Sequence, residues 1–300
     1  MASTYRGMQC APLPAVQDVE DLLSWKANII RYQITGNPDF IGPTEQDYID
    51  WVNIHLDYLE ESILPMLAAR AKVIIDLHTP PYGYEANGTA KIFASRPDGR
   101  TLLYDMWREV AHRFKHQPAV FGYDLLNEPA GSTAHVADFM KKAADAIRAI
   151  DKDKRILITC PRSIPSNFAK TYFRKNDSRC LYVLHMYSPL PITHQGIGGR
   201  PSPKAYPTPR YNYAWMLKAL KPVLDFQKKN RARICMNEFS ISGFATGESR
   251  LAYLKDVIKI AEKFNWQWCY HAWREHPVWS AENDEGVTAL FKKYFNKNKV

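Results

Sequence analysis

The chain has 300 residues, 46% of them hydrophobic and 24% charged, the makeup of a globular protein with enough apolar material for a sizeable core. No run of 18 or more apolar residues occurs, which excludes a membrane-spanning helix, and residues 1–9 show no apolar stretch of a secretory signal. Forty Lys and Arg against 31 Asp and Glu give a net charge of +9. The basic residues read as scattered, in pairs such as Lys141-Lys142 and Lys228-Lys229 and a short tail from Lys292 to Lys299. No nucleic-acid signature accompanies them, so a solvated surface is expected, with no nucleic-acid or membrane partner and a monomeric state.

In chain order, eight short runs rich in β-branched and aromatic residues read as strands. They are Tyr5–Gln9, Ala27–Gln33, Ala71–His78, Val120–Asn127, Arg155–Cys160, Leu181–Tyr187, Arg233–Glu238 and Trp266–Trp273. Several are near-continuous apolar runs, as strands covered on both faces require. Amphipathic helices are predicted between them over Tyr48–Arg70, Leu102–Phe114, Val136–Ile150, Ala214–Lys228 and Ser249–Phe264, with Ser132 or Thr133 as an N-cap for the third. Strand alternating with helix about eight times predicts one (β/α)8 TIM barrel over residues 1–300, an α/β fold with no second domain. The long Pro- and Gly-rich connection Ser188–Arg210 is predicted to be non-helical and to lie on the face where barrel active sites form.

Cys10, Cys160, Cys180, Cys235 and Cys269 show no paired or zinc-ligand spacing, and three of them fall in or beside strands, where cysteine acts as a small apolar residue. No metal and no cofactor is expected.

The informative polar residues gather at strand ends. His78 ends the third run, Asn127-Glu128 the fourth, His185 and Tyr187 the sixth, Glu238 the seventh and Trp273 the eighth, while Arg31 sits late in the second. In a closed parallel barrel all these ends meet at one mouth. A polar group ending an apolar strand costs free energy unless it is paired or faces a cleft. Glu128 and Glu238 are the pair that matters most. Glycosidic cleavage needs one carboxylic acid to protonate the leaving oxygen and one ionised carboxylate to capture or stabilise the sugar cation. Nearby Arg31 is expected to hold Glu238 ionised.

These motifs resemble glycoside hydrolase family 5, the cellulase-like retaining enzymes, over nearly the whole chain. The carrying segments are IIDLHTPP (Ile74–Pro81), YDLLNEP (Tyr123–Pro129), LHMYSP (Leu184–Pro189) and NEFS (Asn237–Ser240), in the family's strand order. The resemblance implies Glu128 as acid/base and Glu238 as nucleophile. It further implies Asn127 on the sugar 2-hydroxyl, Tyr187 orienting the nucleophile, and Arg31 behind it. His78 and His185 would line the cleft, and Trp273 would form a stacking floor under the sugar. Asn237 is a departure, standing where many relatives have glycine.

Each residue also has a plainer reading. Asn127-Glu128-Pro129 alone is a turn signal, Asp76 reads first as a structural ion-pair partner, and Trp273 could be core. His112, His116 and His271 read as surface or packing residues, and His194 as a residue within reach of the cleft. Tyr82, Tyr84, Trp215 and Trp279 are candidate sugar platforms, each equally able to be packing. Arg274 and Glu275 could contact substrate or pair with each other. The implied function is endo-acting hydrolysis of a β-1,4-linked polysaccharide, glucan first and mannan second. An exo-acting β-glucosidase or β-1,3-glucanase, or a non-catalytic carbohydrate-binding barrel, is the alternative. A phosphate-binding barrel enzyme and a metal hydrolase are disfavoured, for want of a glycine turn after the seventh or eighth strand and of H-x-H or H-E-x-x-H spacing.

Overall fold

The computed structural model describes residues 5–245 and 247–298. Eight parallel strands close into a barrel in the order β1 to β8. They are β1 Arg6–Cys10, β2 Ile29–Ile34, β3 Lys72–Leu77, β4 Val120–Asp124, β5 Arg155–Ile158, β6 Cys180–Met186, β7 Ile234–Phe239 and β8 Gln267–Trp273. All eight predicted strands are present; β3, β4, β5 and β6 end one to three residues before the predicted bound, whereas β1, β2 and β7 run one residue beyond it.

Seven main helices cover the sheet: α1 Val16–Ser24, α2 Glu45–Tyr58, α3 Asp98–Phe114, α4 Thr133–Ile150, α5 Lys221–Asn230, α6 Gly247–Lys263 and α7 Glu285–Phe295. Ser132 caps α4, its hydroxyl accepting from the His135 N–H at 3.2 Å. The predicted helix over Ala214–Lys228 is broken into Tyr213–Ala219 and α5, with Pro222 in the first turn of α5, where its missing N–H costs nothing. The connection from β5 to β6 holds only the 3-10 segments Pro161–Ser163 and Pro165–Lys170, so one flank lacks its α-helix.

The Ser188–Arg210 connection departs from expectation. It contains one α-helical turn, Leu190–Thr193, with Pro191 in a first turn that tolerates proline, and the 3-10 segment Ile197–Gly199. Gln195, fully buried, ties the connection together. Its side-chain amide donates to the Ile192 carbonyl, and its oxygen accepts from the Lys204 N–H.

Alternation along the strands divides the core in two. Ile29, Ile74, Phe121, Leu157, Leu181, Val183, Cys235 and Cys269 plug the barrel's lower interior, while a larger apolar layer lies between sheet and helices. Gly7 of β1 admits no side chain, since a Cβ there would meet the Ile29 carbonyl oxygen at 1.6 Å. All five cysteines are buried free thiols.

Register shifts between β3 and β4, β6 and β7, and β1 and β8 decide what faces the mouth, and the last two move predicted site residues. Between β6 and β7, Val183 stands opposite Cys235 but His185 opposite Glu238, so β7 carries one surplus residue. Cys235 faces the interior, and the bulge lets Glu238, three positions on, face it too. Between β1 and β8, Met8 pairs with Tyr270 and Cys10 with Trp273, again one surplus residue, on β8.

Candidate active site

Above the apolar plug the barrel interior turns polar. Arg31, two positions beyond interior Ile29, is fully buried and surrounded by acids. Its guanidinium lies 3.0 Å from Asp76, 2.9 Å from Asp124 and 2.5 Å from Glu238. It also donates to Asn127 Oδ1 at 2.9 Å and to Gln9. Guanidinium suits such a node because its planar fork presents five donors that never lose their proton near neutral pH. Asp76 is the ion-pair residue its position predicts, and it further holds His78 through Nδ1 at 2.7 Å. The other nitrogen of His78 meets the Asn127 amide at 3.0 Å. Asn237 donates to Asp124 at 2.6 Å, so the departure from glycine supplies a buried hydrogen bond.

Glu238 closes this network. Its Oε1 accepts from Arg31 and its Oε2 from the Tyr187 hydroxyl at 3.0 Å. His185 Nδ1 lies 2.7 Å from Glu128 Oε1 and 3.5 Å from Glu238 Oε2. One donor atom from each of Glu128, His185 and Glu238 lies within 4.8 Å of the other two. Glu238 is nearly buried, whereas the Glu128 side chain is 42% exposed, so one carboxylate is held and the other faces solvent. Glu128 sits at φ +37°, a left-handed conformation unfavourable for a residue with a Cβ and one that concentrates at functional sites.

The electrostatics separate the groups. Burial alone would raise the Glu238 carboxyl, but His185, Arg31, His271 and His78 together hold it well below the usual carboxylate range. For His185, burial works against the charged ring, yet Glu238 and Glu128 raise its proton affinity above the ordinary value. The same contest at His78, with Asp76 as the deciding neighbour, ends in the same direction. Burial, then Glu238, pushes the Tyr187 phenol up, so it remains a donor.

Among the described residues, Glu128, His185 and Glu238 are also the one group of carboxylate and imidazole donors spaced to hold a cation. Both Glu238 oxygens and His185 Nδ1 already have protein partners, which leaves such an ion little to bind.

Arg31, His78, Asn127, Glu128, His185, Tyr187 and Glu238 thus meet in one mouth. Trp273 does not. The surplus residue on β8 turns it to the helix side, where it is 1% exposed, packs on Trp25 at 4.8 Å and donates to the Asp18 carbonyl. The interior position of β8 belongs to His271, which the sequence reading placed among packing residues. Its Nε2 pairs with Glu275 at 3.2 Å. Simple alternation from interior Cys269 points to it. Arg274 and Glu275 do not pair with each other; Arg274 binds Asp18, Asp21 and Glu282.

Of the aromatic candidates, Trp279 stands at the mouth, its ring 6.2 Å from Tyr187, 5.7 Å from His271 and 5.3 Å from His194. His194 therefore does reach the cleft. Tyr84 is 42% exposed and feels the charges of Glu128 and Asp76. Tyr82 is fastened to Glu45 and covered by Arg96, and Trp215 packs on Tyr211.

The profile of the cellulase family, glycosyl hydrolase family 5, matches residues 5–277. The chain belongs to this family. It is a glycoside hydrolase. Among its relatives, endoglucanase C of Acetivibrio thermocellus is 23% identical over 265 residues, covering 78% of this chain and 75% of that one. In three dimensions it is similar to endoglucanase Cel5A of Thermotoga maritima, with TM-score 0.75, 19% identity and coverage of 92% and 91%. It is equally similar to cellulose synthase subunit Z of Clostridioides difficile, with TM-score 0.76, 19% identity and coverage of 96% and 99%.

Proposed function

We propose that this family 5 glycoside hydrolase cleaves a β-1,4-linked glucan internally, with retention of configuration, using Glu238 as nucleophile and Glu128 as acid/base. The observation that carries the reading is that Glu128 and Glu238 both approach His185 Nδ1, at 2.7 and 3.5 Å, and each brings a carboxylate oxygen within 4.8 Å of the other's. Retaining enzymes place the two carboxyl groups about 5–5.5 Å apart, whereas inverting ones leave about 6.5–9.5 Å for a water.

In the first step a Glu238 oxygen bonds to the anomeric carbon as the bond to the leaving oxygen breaks and Glu128 gives that oxygen its proton. In the second, Glu128 takes a proton from water, the water oxygen bonds to the same carbon, and Glu238 departs. The low proton affinity of Glu238 suits a group that attacks and then leaves. Tyr187 and Arg31 each hold one of its oxygens, fixing the direction of attack. Asn127, clamped by Arg31 and His78, is positioned for the sugar 2-hydroxyl. Glucan as first choice and internal cleavage rest on relatives that are endoglucanases; mannan is the second choice, and an exo-acting enzyme the alternative.

Glu238→Ala is expected to abolish hydrolysis of an aryl β-cellobioside, with azide restoring turnover as the α-glycosyl azide; a β product would overturn retention. Glu128→Ala should slow poor leaving groups far more than good ones. Product chromatography over cellulose, barley glucan, laminarin and mannan separates internal from terminal cleavage.

A further inference from the structure

The basic residues that look scattered along the chain are segregated in space. Residues 152–233 hold 17 Lys and Arg against three Asp, a net charge of +14 where the whole chain carries +9. This segment runs from β5 to the start of β7 and includes the β5–β6 connection that lacks an α-helix. All three of its acids, Asp153, Asp177 and Asp225, are already in ion pairs. Lys175, Lys218, Lys229, Arg231 and Arg233 are exposed or nearly so, and none has a carboxylate partner within 4.0 Å among the described residues.

Three cavities on this flank adjoin one another, each sharing wall residues with the next, and together make up a groove. The lowest, of about 610 Å³, is lined by Arg148, Lys152, Lys175 and Arg179. It shares Arg174 and Asp177 with a middle one of about 420 Å³, lined by Arg231 and Arg233. That one shares Phe173 and Asn230 with an outer one of about 630 Å³, lined by Lys218, Lys221 and Lys229. Arg179 and Arg233, which line the first two cavities, immediately precede β6 and β7, so the groove begins at the barrel end opposite the mouth.

We propose that this groove is a docking site, separate from the active site, for a linear polysaccharide bearing carboxylates. A concave track admits a chain, whereas a flat lipid surface cannot reach its floor. Guanidinium groups match carboxylate geometry two bonds at a time. The half-buried Phe173 ring, stacked on Tyr182 at 5.6 Å, lines two of the cavities and adds apolar surface to their walls. Preference for a glycan over a nucleic acid rests on family membership, not on the catalytic assignments, so loss of activity in a Glu238 variant leaves the proposal intact. Charged contacts of this exposure are screened within about 10 Å at 0.1 M salt, so binding should be salt-sensitive.

The test measures binding of polygalacturonate of defined length to the full chain by titration calorimetry. Binding is expected at low salt, roughly tenfold weaker at 0.3 M NaCl, and absent for neutral barley glucan in a protein whose active site is blocked by a covalent inhibitor. The exposed triple variant Lys175→Glu/Lys218→Glu/Lys229→Glu should weaken it at least about tenfold while leaving aryl β-cellobioside turnover unchanged. The variant Lys26→Glu/Lys255→Glu/Lys293→Glu changes net charge equally but lies elsewhere, and should bind as the parent does. Equal losses in both variants, or none in the first, overturn the groove as the site. Tighter binding of a single-stranded oligonucleotide or of anionic phosphatidylglycerol vesicles overturns the assignment of its occupant.

Discussion

At the scale of single residues, the mouth is organised by one buried cation. Arg31 faces Asp76, Asp124 and Glu238, and a buried charge left without its partner costs several kcal/mol, so no member of the set is freely replaced. The depressed proton affinity of Glu238 depends on positive neighbours, which makes it testable through pH. The acidic limb of kcat/KM is expected below the ordinary glutamate value of 4.5. His185→Gln removes a neighbouring positive charge, so the limb should move upward; an unmoved limb would show that His185 is neutral where Glu238 titrates. Most of these residues were legible in the sequence because each ends an apolar strand, where only a cleft justifies a polar group. The left-handed Glu128 and the Asn237–Asp124 bond were not, since both depend on contacts across the barrel.

At the scale of elements, strand number and order were readable from apolar runs, but strand parity was not. A bulge adds one residue without altering composition, and it exchanges the faces of everything beyond it. On β8 this moves Trp273 into the helix layer and leaves His271 and Trp279 beside the cleft. The two tryptophans should therefore respond differently. Trp273→Ala is expected to cost about 3–5 kcal/mol of stability, seen as a lower urea midpoint. Trp279→Ala should keep its midpoint within about 0.5 kcal/mol and raise KM for cello-oligosaccharides roughly five- to tenfold, the worth of one aromatic face. Should Trp273→Ala instead raise KM with stability intact, the placement of β8 would be wrong. The broken helix before β7 and the missing one before β6 were unreadable for another reason: a 3-10 turn and a short helix share their residue preferences with loops.

At the scale of the molecule, folding is linked to the protons on His78 and His185. Both bind a proton more tightly in the folded barrel than the ordinary value of 6.5. Their contribution is fully present below pH 6.5 and is lost as pH rises through the raised values. Tm should fall as pH rises from 6.5 through those raised values, and the fall should shrink in His185→Gln; a Tm that climbs above pH 6.5 would contradict the pairing. The segregation of charge has a consequence for handling. The residues outside the 152–233 segment sum to −5 against its +14, and the exposed Lys175, Lys229, Arg231 and Arg233 stand near the starts of β6 and β7, at the barrel end opposite the mouth. Adsorbed on a sulfonated bead it should settle in one orientation and still admit soluble oligosaccharide, whereas random covalent coupling would bury part of the population mouth-down.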